Sequence, residues 1–492
     1  MAPEISTRTQ LINALRLASE LEHGLMLQYL FAAYSMKRYE YEGLRPDQLE
    51  QVRRWTSLIT LVARQEMEHL GLALNMLSAI GGTPSFSRPN MPQRDDYYGA
   101  VGIKLALTRC DLATIKRFQR FEAPEELLAP GAGPADGTID QRVALEWCRD
   151  VGTGEGGNDP GDVVTALLGS GARQAEAVLT GAPHVDQHGI PYRSIQELYE
   201  KIGRGFSTVS AALGEPGLFV GRPQNQVFGG PGSPQSGQMD DLNQYGVDTL
   251  AVTGLASAHE AVRLIVEQGE GVRVPPSYLV HTHFCIFTQI RREMEQTGLG
   301  DIAARPVVPN PMTVLQPDVA PRDEVTLIGN PSTLAVAELF NDCYEVMLLL
   351  LLYLYSDNVK SQAEANSVMH GAFFPFMTMF VRPLAEILTE LPAFDDPGGG
   401  NAGPGFELSG DVLLFPTLDA TWTLFQERLD ALAAGFEAVV KADPWIGLPG
   451  QRAGGGPHSL IWQRLDFLRQ NMERLSEDWK SDWTNQGRTT GV

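Results

Sequence analysis

Basic residues are scarce in this sequence: 38 Lys and Arg stand against 60 Asp and Glu, a formal net charge of −22. Nucleic-acid binding draws on clustered Lys and Arg that displace counterions from phosphates. The sequence holds no such cluster, so no nucleic acid and no anionic membrane surface is expected as a partner. Cysteine is scarcer still. Cys110, Cys148, Cys285 and Cys343 lie far apart, with no C-x-x-C pair and no dense disulfide pattern. That spacing argues against a disulfide scaffold and an iron–sulfur site, and favours a reducing cytoplasm. Long apolar runs are missing too. The most apolar stretch, 346–355, is too short to cross a bilayer. It follows Glu338, Asn341, Asp342 and Glu345 on the same helical segment, as a central core helix does. The opening residues, MAPEISTRTQLINAL, lack the basic start and long apolar stretch of a secretory signal, so the expected localisation is cytoplasmic.

What is present is length and helical periodicity. The 492 residues suffice for a sizeable core, and 50 Gly with 32 Pro imply long ordered loops between elements. Over 9–36 apolar residues recur at helical spacing through Leu11, Leu15, Ala18, Leu25 and Tyr29, and Glu22 sits on the same inward stripe. A second helix over 47–80 carries Leu58, Val62, Leu70 and Leu77 and stops at Gly81-Gly82-Thr83-Pro84. The next stretch, 83–240, reads as a long loop-rich insertion with short helical pieces at 111–121, 140–148 and 194–205. Helical spacing returns over 247–271, breaks at Val274-Pro275-Pro276 and resumes over 277–297, a second hairpin. Two hairpins joined by one long crossover give a mainly α, four-helix bundle, although other four-helix arrangements share that spacing. Further helices are expected over 332–391, 417–441 and 457–483. The division that follows is 1–300 for the bundle with its insertion and 301–492 for a C-terminal helical extension packed on it.

Glu66 and His69 are three residues apart on the second helix, so their side chains emerge on one face about one turn apart and can chelate a single ion. E-x-x-H alone is common, and a surface Glu beside a packed His explains most occurrences. Glu22 adds weight, because an unpaired carboxylate on a core stripe is costly to bury. Its bland alternatives are pairing with an Arg such as Arg64, or pointing to water. Glu20 and His23 fall on other faces, as surface or supporting groups. In the second hairpin Glu267 and Glu270 share a face in IVEQGEG, and folding at the prolines brings His283 to the height of Glu267. Carboxylates near a helix C-terminus oppose its macrodipole, so a purely structural pair there lacks an obvious benefit. A solvated acidic patch is the rival reading. The mixed oxygen and nitrogen donors suit iron, with manganese or zinc as alternatives.

ELEHGLMLQYL at 20–30, RQEMEHLGLALNMLSAIGG at 64–82 and IVEQGEG at 265–271 resemble a bacterial ferritin-like family, one that includes the helical region of the iminophenylpyruvate dimer synthase of violacein biosynthesis. RFEAPEE at 120–126, SIQELYEKI at 194–202 and AGPGFE at 402–407 extend the likeness over most of the chain. The resemblance implies a ferritin-like four-helix bundle whose first helix gives one Glu and whose second gives Glu-x-x-His. Its second hairpin would repeat the theme around a two-metal centre. Glu22, Glu66 and His69 match the first half position by position. Glu267 and His283 are the second-half counterparts, but an E-x-x-H ending at His283 needs an acid where Val280 stands. Either Glu270 or His281 substitutes, giving an altered two-metal site, or the chain holds one metal or none.

Other features weigh less. His184 and His188 in HVDQH read as a solvated loop pair, Glu260 beside His259 is a reserve ligand, and His370 and His458 have no partner set. Tyr29, Tyr344 and Tyr353 are aromatic neighbours of the site or core filling. The Gly-rich loops 398–405 and 450–456 lack the context of a phosphate loop. The function these features lead to is a non-haem, iron-dependent oxidoreductase using dioxygen on a small organic metabolite, within secondary-metabolite biosynthesis. The insertion would cover the site and shape the substrate pocket. The rivals are a metal-binding or storage protein without turnover, and a structural protein with a degenerate site.

Overall fold

The computed structural model describes residues 4–95, 97–98, 103–128, 139–153, 192, 194–229, 247–269, 282–357, 362–396, 398–413, 417–441 and 457–485. It divides into two compact units, one of 1–88 with 92–305 and one of 89–91 with 306–492.

The first unit is built on α1 (Arg8–Ser35) and α2 (Pro46–Ala79), a closely packed helix pair. Thr7 caps α1 by accepting from the Gln10 N–H, and Gln10 returns the bond to the cap, an arrangement worth about 1 kcal/mol. α2 starts with Pro46 at its first position, where no N–H is needed. It ends where Gly81 turns to φ +81°, a left-handed conformation that glycine enters without strain. Both helices match the expected spans to within one residue. Gly24 permits a close approach on α1: a Cβ there would lie 2.9 Å from Leu105 Cδ2. The extended segment 103–109 therefore lies directly on α1, and Gln28 Oε1 accepts from the Ala106 N–H at 3.2 Å.

The insertion is more regular than expected. It contributes α3 (Leu112–Phe121), α4 (Gln141–Thr153) and α5 (Ile195–Leu213). Ile115, Phe118 and Phe121 of α3 are buried, as are Leu198, Tyr199, Ile202, Phe206 and Val209 of α5. These helices carry amphipathic faces and so belong to the core. α6 (Leu255–Gly269) packs mainly on α5, and α7 (His283–Thr297) mainly on α3, while both also touch α2. α6 and α7 meet each other only lightly, so the expected second hairpin is two helices bridged by parts of the insertion. Cys148 of α4 is joined by a disulfide to Cys285 of α7, 137 residues away in sequence. Wide spacing concealed that pair.

The second unit contains α8 (Pro331–Leu354), α9 (Gln362–Val368) and α10 (Arg382–Leu388), then α11 (Leu418–Lys441) and α12 (Pro457–Asn485). The helical section expected over 332–391 is thus divided, and two π-helical stretches, Met369–Phe373 and Phe376–Val381, lead into α10. A two-residue parallel pair, β1 (Pro311–Met312) with β2 (Thr326–Leu327), is its sheet. Among the described residues, one stretch, Glu364–Leu388, is long and apolar enough to cross a membrane. More than half of its apolar window is buried within the protein, as in a core helix. Tyr344 stacks with Phe340, and the Tyr353 hydroxyl donates to Glu364 Oε1 at 2.6 Å, so both are packing groups of this unit.

Candidate metal centre

Five buried side chains from four helices meet inside the first unit. α1 supplies Glu22 and α2 supplies Glu66 and His69. Glu122 stands at the C-cap of α3, and His283 is the first residue of α7. Glu66 is central. Its Oε2 lies 3.3 Å from His69 Nδ1, and its Oε1 lies 2.8 Å from His283 Nδ1. Glu22 Oε2 approaches His69 Nδ1 at 3.7 Å, and Glu122 Oε2 approaches His283 Nδ1 at 3.4 Å. Two triads result, Glu22–Glu66–His69 and Glu66–Glu122–His283, in each of which one ligand atom per residue lies within 4.8 Å of the others.

Around this set stands a ring of supporting groups. The Tyr199 hydroxyl of α5 donates to Glu22 Oε1 at 2.6 Å, and the Tyr29 hydroxyl of α1 donates to Glu122 Oε1. His69 Nε2 lies 3.0 Å from Gln268 Oε1, and His283 Nε2 lies 3.2 Å from Gln65 Oε1. The cavity beside them is about 20 Å³, bounded on its apolar side by Leu25, Ile195, Ile265 and Val266. Among the described residues that volume is enough for a water or an ion.

The electrostatics are those of a crowded, dry site. Burial and the neighbouring Glu66 charge push Glu22 up to about 8. Burial, again with Glu66, also raises Glu122. Burial alone would raise Glu66 too, but the His283 and His69 imidazoliums outweigh it and hold this carboxyl well below the usual range. Burial disfavours a charged His283, yet the Glu66 and Glu122 carboxylates lift it to about 9, and Glu22 with Glu66 likewise lifts His69. Glu122 also ends α3, where the helix dipole opposes a negative charge. Three buried carboxylates at one point are costly unless cations offset them.

The donor set fits a metal. His283 Nδ1 is fully buried and makes no hydrogen bond, although Glu66 Oε1 is only 2.8 Å away. Nitrogen and oxygen approach without hydrogen-bond alignment, as two ligands converging on one ion do. Three carboxylates and two imidazoles suit iron, manganese or zinc.

With this geometry in hand, comparison with known proteins is direct. The family model described as ferritin-like matches residues 15–292. The chain belongs to the ferritin-like family. Among curated relatives, this ferritin-like chain is 27% identical over 465 residues to dichlorochromopyrrolate synthase of Lentzea aerocolonigenes, covering 87% of the chain and 39% of that protein. It is 25% identical over 420 residues to 2-imino-3-(indol-3-yl)propanoate dimerase of Chromobacterium violaceum, covering 81% and 34%. The chain thus spans well under half the length of both relatives. A solved ferritin-like protein from Caulobacter vibrioides is 20% identical and is covered over 96% of its length and 75% of this chain, with a TM-score of 0.36, too loose an overlap to carry an argument.

Of the residues singled out from sequence, the ferritin-like fold brings together Glu22, Glu66, His69 and His283. Glu267 is not among them: its carboxylate binds Arg263 at 2.5 Å and is partly exposed, and Arg263 also holds Glu260. Glu270, His281 and Val280 lie outside the described residues, as do His184 and His188. His259 faces Ser207 Oγ at 3.0 Å, and His370 is exposed. His23 is buried, and Glu20 accepts from the Tyr98 hydroxyl at 2.8 Å. Glu122 is the residue that sequence reasoning missed. Its signal was present in RFEAPEE, where an acid closes an amphipathic helix against the dipole. Thr282 caps α7, so His283 is its first helical residue.

Proposed function

We propose that this chain is a non-haem, iron-dependent oxidoreductase that uses dioxygen on a small organic metabolite in secondary-metabolite biosynthesis. The observation that carries this reading is the pair of buried Glu/His triads sharing Glu66. Glu22, Glu66 and His69 would hold one ion and Glu66, Glu122 and His283 a second, with Glu66 between them. Bound iron would supply one-electron and dioxygen chemistry that no side chain offers. The protein's own part is to fix the ligands, exclude water and hold the Glu22 and Glu122 carboxylates through Tyr199 and Tyr29. The names of the two curated relatives, dichlorochromopyrrolate synthase and 2-imino-3-(indol-3-yl)propanoate dimerase, support a small organic substrate.

The insertion takes part through α5, whose Ile195, Gln196 and Tyr199 line the cavity. We retain 1–300 as the metal-binding bundle and 301–492 as its helical extension. The cytosolic placement suggested by the sequence belongs to the same proposal, although the Cys148–Cys285 disulfide is the rarer case in a reducing compartment. A second reading, metal binding without turnover, is favoured by one observation: the cavity beside the cluster, about 20 Å³ among the described residues, is ion-sized.

Metal analysis of the chain purified from iron-supplemented cells is the first test, and stoichiometric iron is expected. Absence of any stoichiometric transition metal overturns both readings. Reduction followed by exposure to oxygen then separates them, because turnover gives a transient oxidised absorption and passive binding gives none.

A further inference from the structure

Each candidate imidazole has two ring nitrogens, and only one can face an ion. His69 turns Nδ1 toward Glu22 and Glu66, and His283 turns Nδ1 toward Glu66 and Glu122. Behind each ring, at Nε2, lies a side-chain amide oxygen: Gln268 Oε1 at 3.0 Å for His69 and Gln65 Oε1 at 3.2 Å for His283. An amide oxygen only accepts, so Nε2 must carry the hydrogen. In a neutral imidazole that leaves the lone pair on Nδ1, the atom aimed at the carboxylates. With the opposite tautomer an N–H would point into the centre, where an ion would have to sit.

We propose that Gln65 and Gln268 are a matched pair of positioning residues that hold both histidines in the Nε2–H tautomer. The pairing crosses between elements. Gln65 of α2 directly precedes Glu66, yet it serves His283 of α7. Gln268 of α6 serves His69 of α2, and it is the immediate neighbour of Glu267. The IVEQGEG segment thus addresses the site through its amide and not through that acid. Gln65 is buried and Gln268 half-buried, so an apolar replacement would leave an Nε2–H with no acceptor in a dry environment. Outer hydrogen-bond partners of this kind commonly govern metal affinity by about 10- to 100-fold.

The inference rests on the metal-centre reading, and one titration distinguishes the two. Full-length chain, stripped of metal, is titrated with zinc(II) by calorimetry. Wild type takes up two ions. Gln268→Leu weakens one of them by about 10- to 100-fold and Gln65→Leu weakens the other. In a Glu122→Ala background, where only the Glu22 half remains, Gln268→Leu weakens binding and Gln65→Leu does not. Gln268→Glu and Gln65→Glu keep an acceptor oxygen behind the ring and restore uptake, whereas Gln268→Met and Gln65→Met, of similar length and volume but without that oxygen, bind as weakly as leucine, a split that a packing role would not give. Leucine variants that bind like wild type, or glutamate variants as weak as leucine, overturn the proposal while leaving the metal centre intact. A wild-type chain that takes up no zinc overturns the metal reading and this inference with it.

Discussion

Glu66 Oε1 lies 2.8 Å from His283 Nδ1, while the other oxygen of the same carboxylate lies 3.3 Å from His69 Nδ1. One side chain therefore belongs to both halves of the centre, and its loss should differ in kind from the loss of any other ligand. Glu66→Ala is expected to abolish metal uptake, whereas Glu22→Ala and Glu122→Ala should each retain about one of two ions. Metal content after equilibrium dialysis checks this. Full occupancy in Glu66→Ala would show that the centre lies elsewhere.

The metal-free protein should lose stability as pH rises. Glu22 goes from 4.5 in the unfolded chain to about 8 in the folded one, and His283 from 6.5 to about 9. Across both windows the folded form binds more protons than the unfolded form, so stability falls with pH. Each contribution is complete below the unfolded value and lost through the folded one. Glu66 runs oppositely, since its lowered value adds stability that disappears only in acid. Melting temperatures of the metal-free chain between pH 6.5 and 9 are expected to decline, and a rise over that range would contradict the charge assignment.

Tyr199→Phe removes the hydroxyl that donates to Glu22 and leaves Oε1 buried without that donor. The cost to the metal-free fold is expected at about 1–3 kcal/mol by denaturant unfolding. Zinc affinity of the Glu22 half should fall while that of the His283 half is unchanged. Equal losses in both halves would mean that the hydroxyl acts through general packing.

Reducing the Cys148–Cys285 bond, or replacing both residues by Ser, should lower stability by about 2–4 kcal/mol. Cys110 and Cys343 are buried free thiols, and burial pushes both up from their ordinary range. A thiol reagent applied to the native chain should therefore register two new groups after gentle reduction and almost none before it. Prompt reaction of four groups would show that the buried pair is accessible.

The α1–α2 pair and three of its candidate ligands were legible because periodicity and the E-x-x-H spacing lie within single helices. Glu22 occupies the same stripe as Leu15, Leu25 and Tyr29, and Glu66 and His69 share one turn. Of the other half only His283 was legible, for a physical reason. Glu122 and His283 stand at helix ends contributed by separate segments, and no local spacing relates two helix ends. A second E-x-x-H needs its histidine inside a helical turn, whereas His283 is the first helical residue after the Thr282 cap. Gln268 stayed hidden beside Glu267, because an acid is the more obvious candidate until the side-chain directions are known. The disulfide was invisible for a similar reason: its two cysteines meet only once α4 lies on α7.

That His283 opens α7 and Glu122 closes α3 also gives the centre two mechanically different jaws. Glu22, Glu66 and His69 are clamped mid-helix, where every backbone hydrogen bond resists displacement. The opposing pair hangs from helix ends, which fray most readily. Phe284, Cys285 and Ala123, neighbours of those two ligands, share one apolar cluster with the disulfide partner Cys148. The disulfide therefore ties together the segments that carry these two side chains. Amide hydrogen exchange should quicken around Phe284 and Ala123 on reduction, while the amides around Glu22 and Glu66 keep their protection.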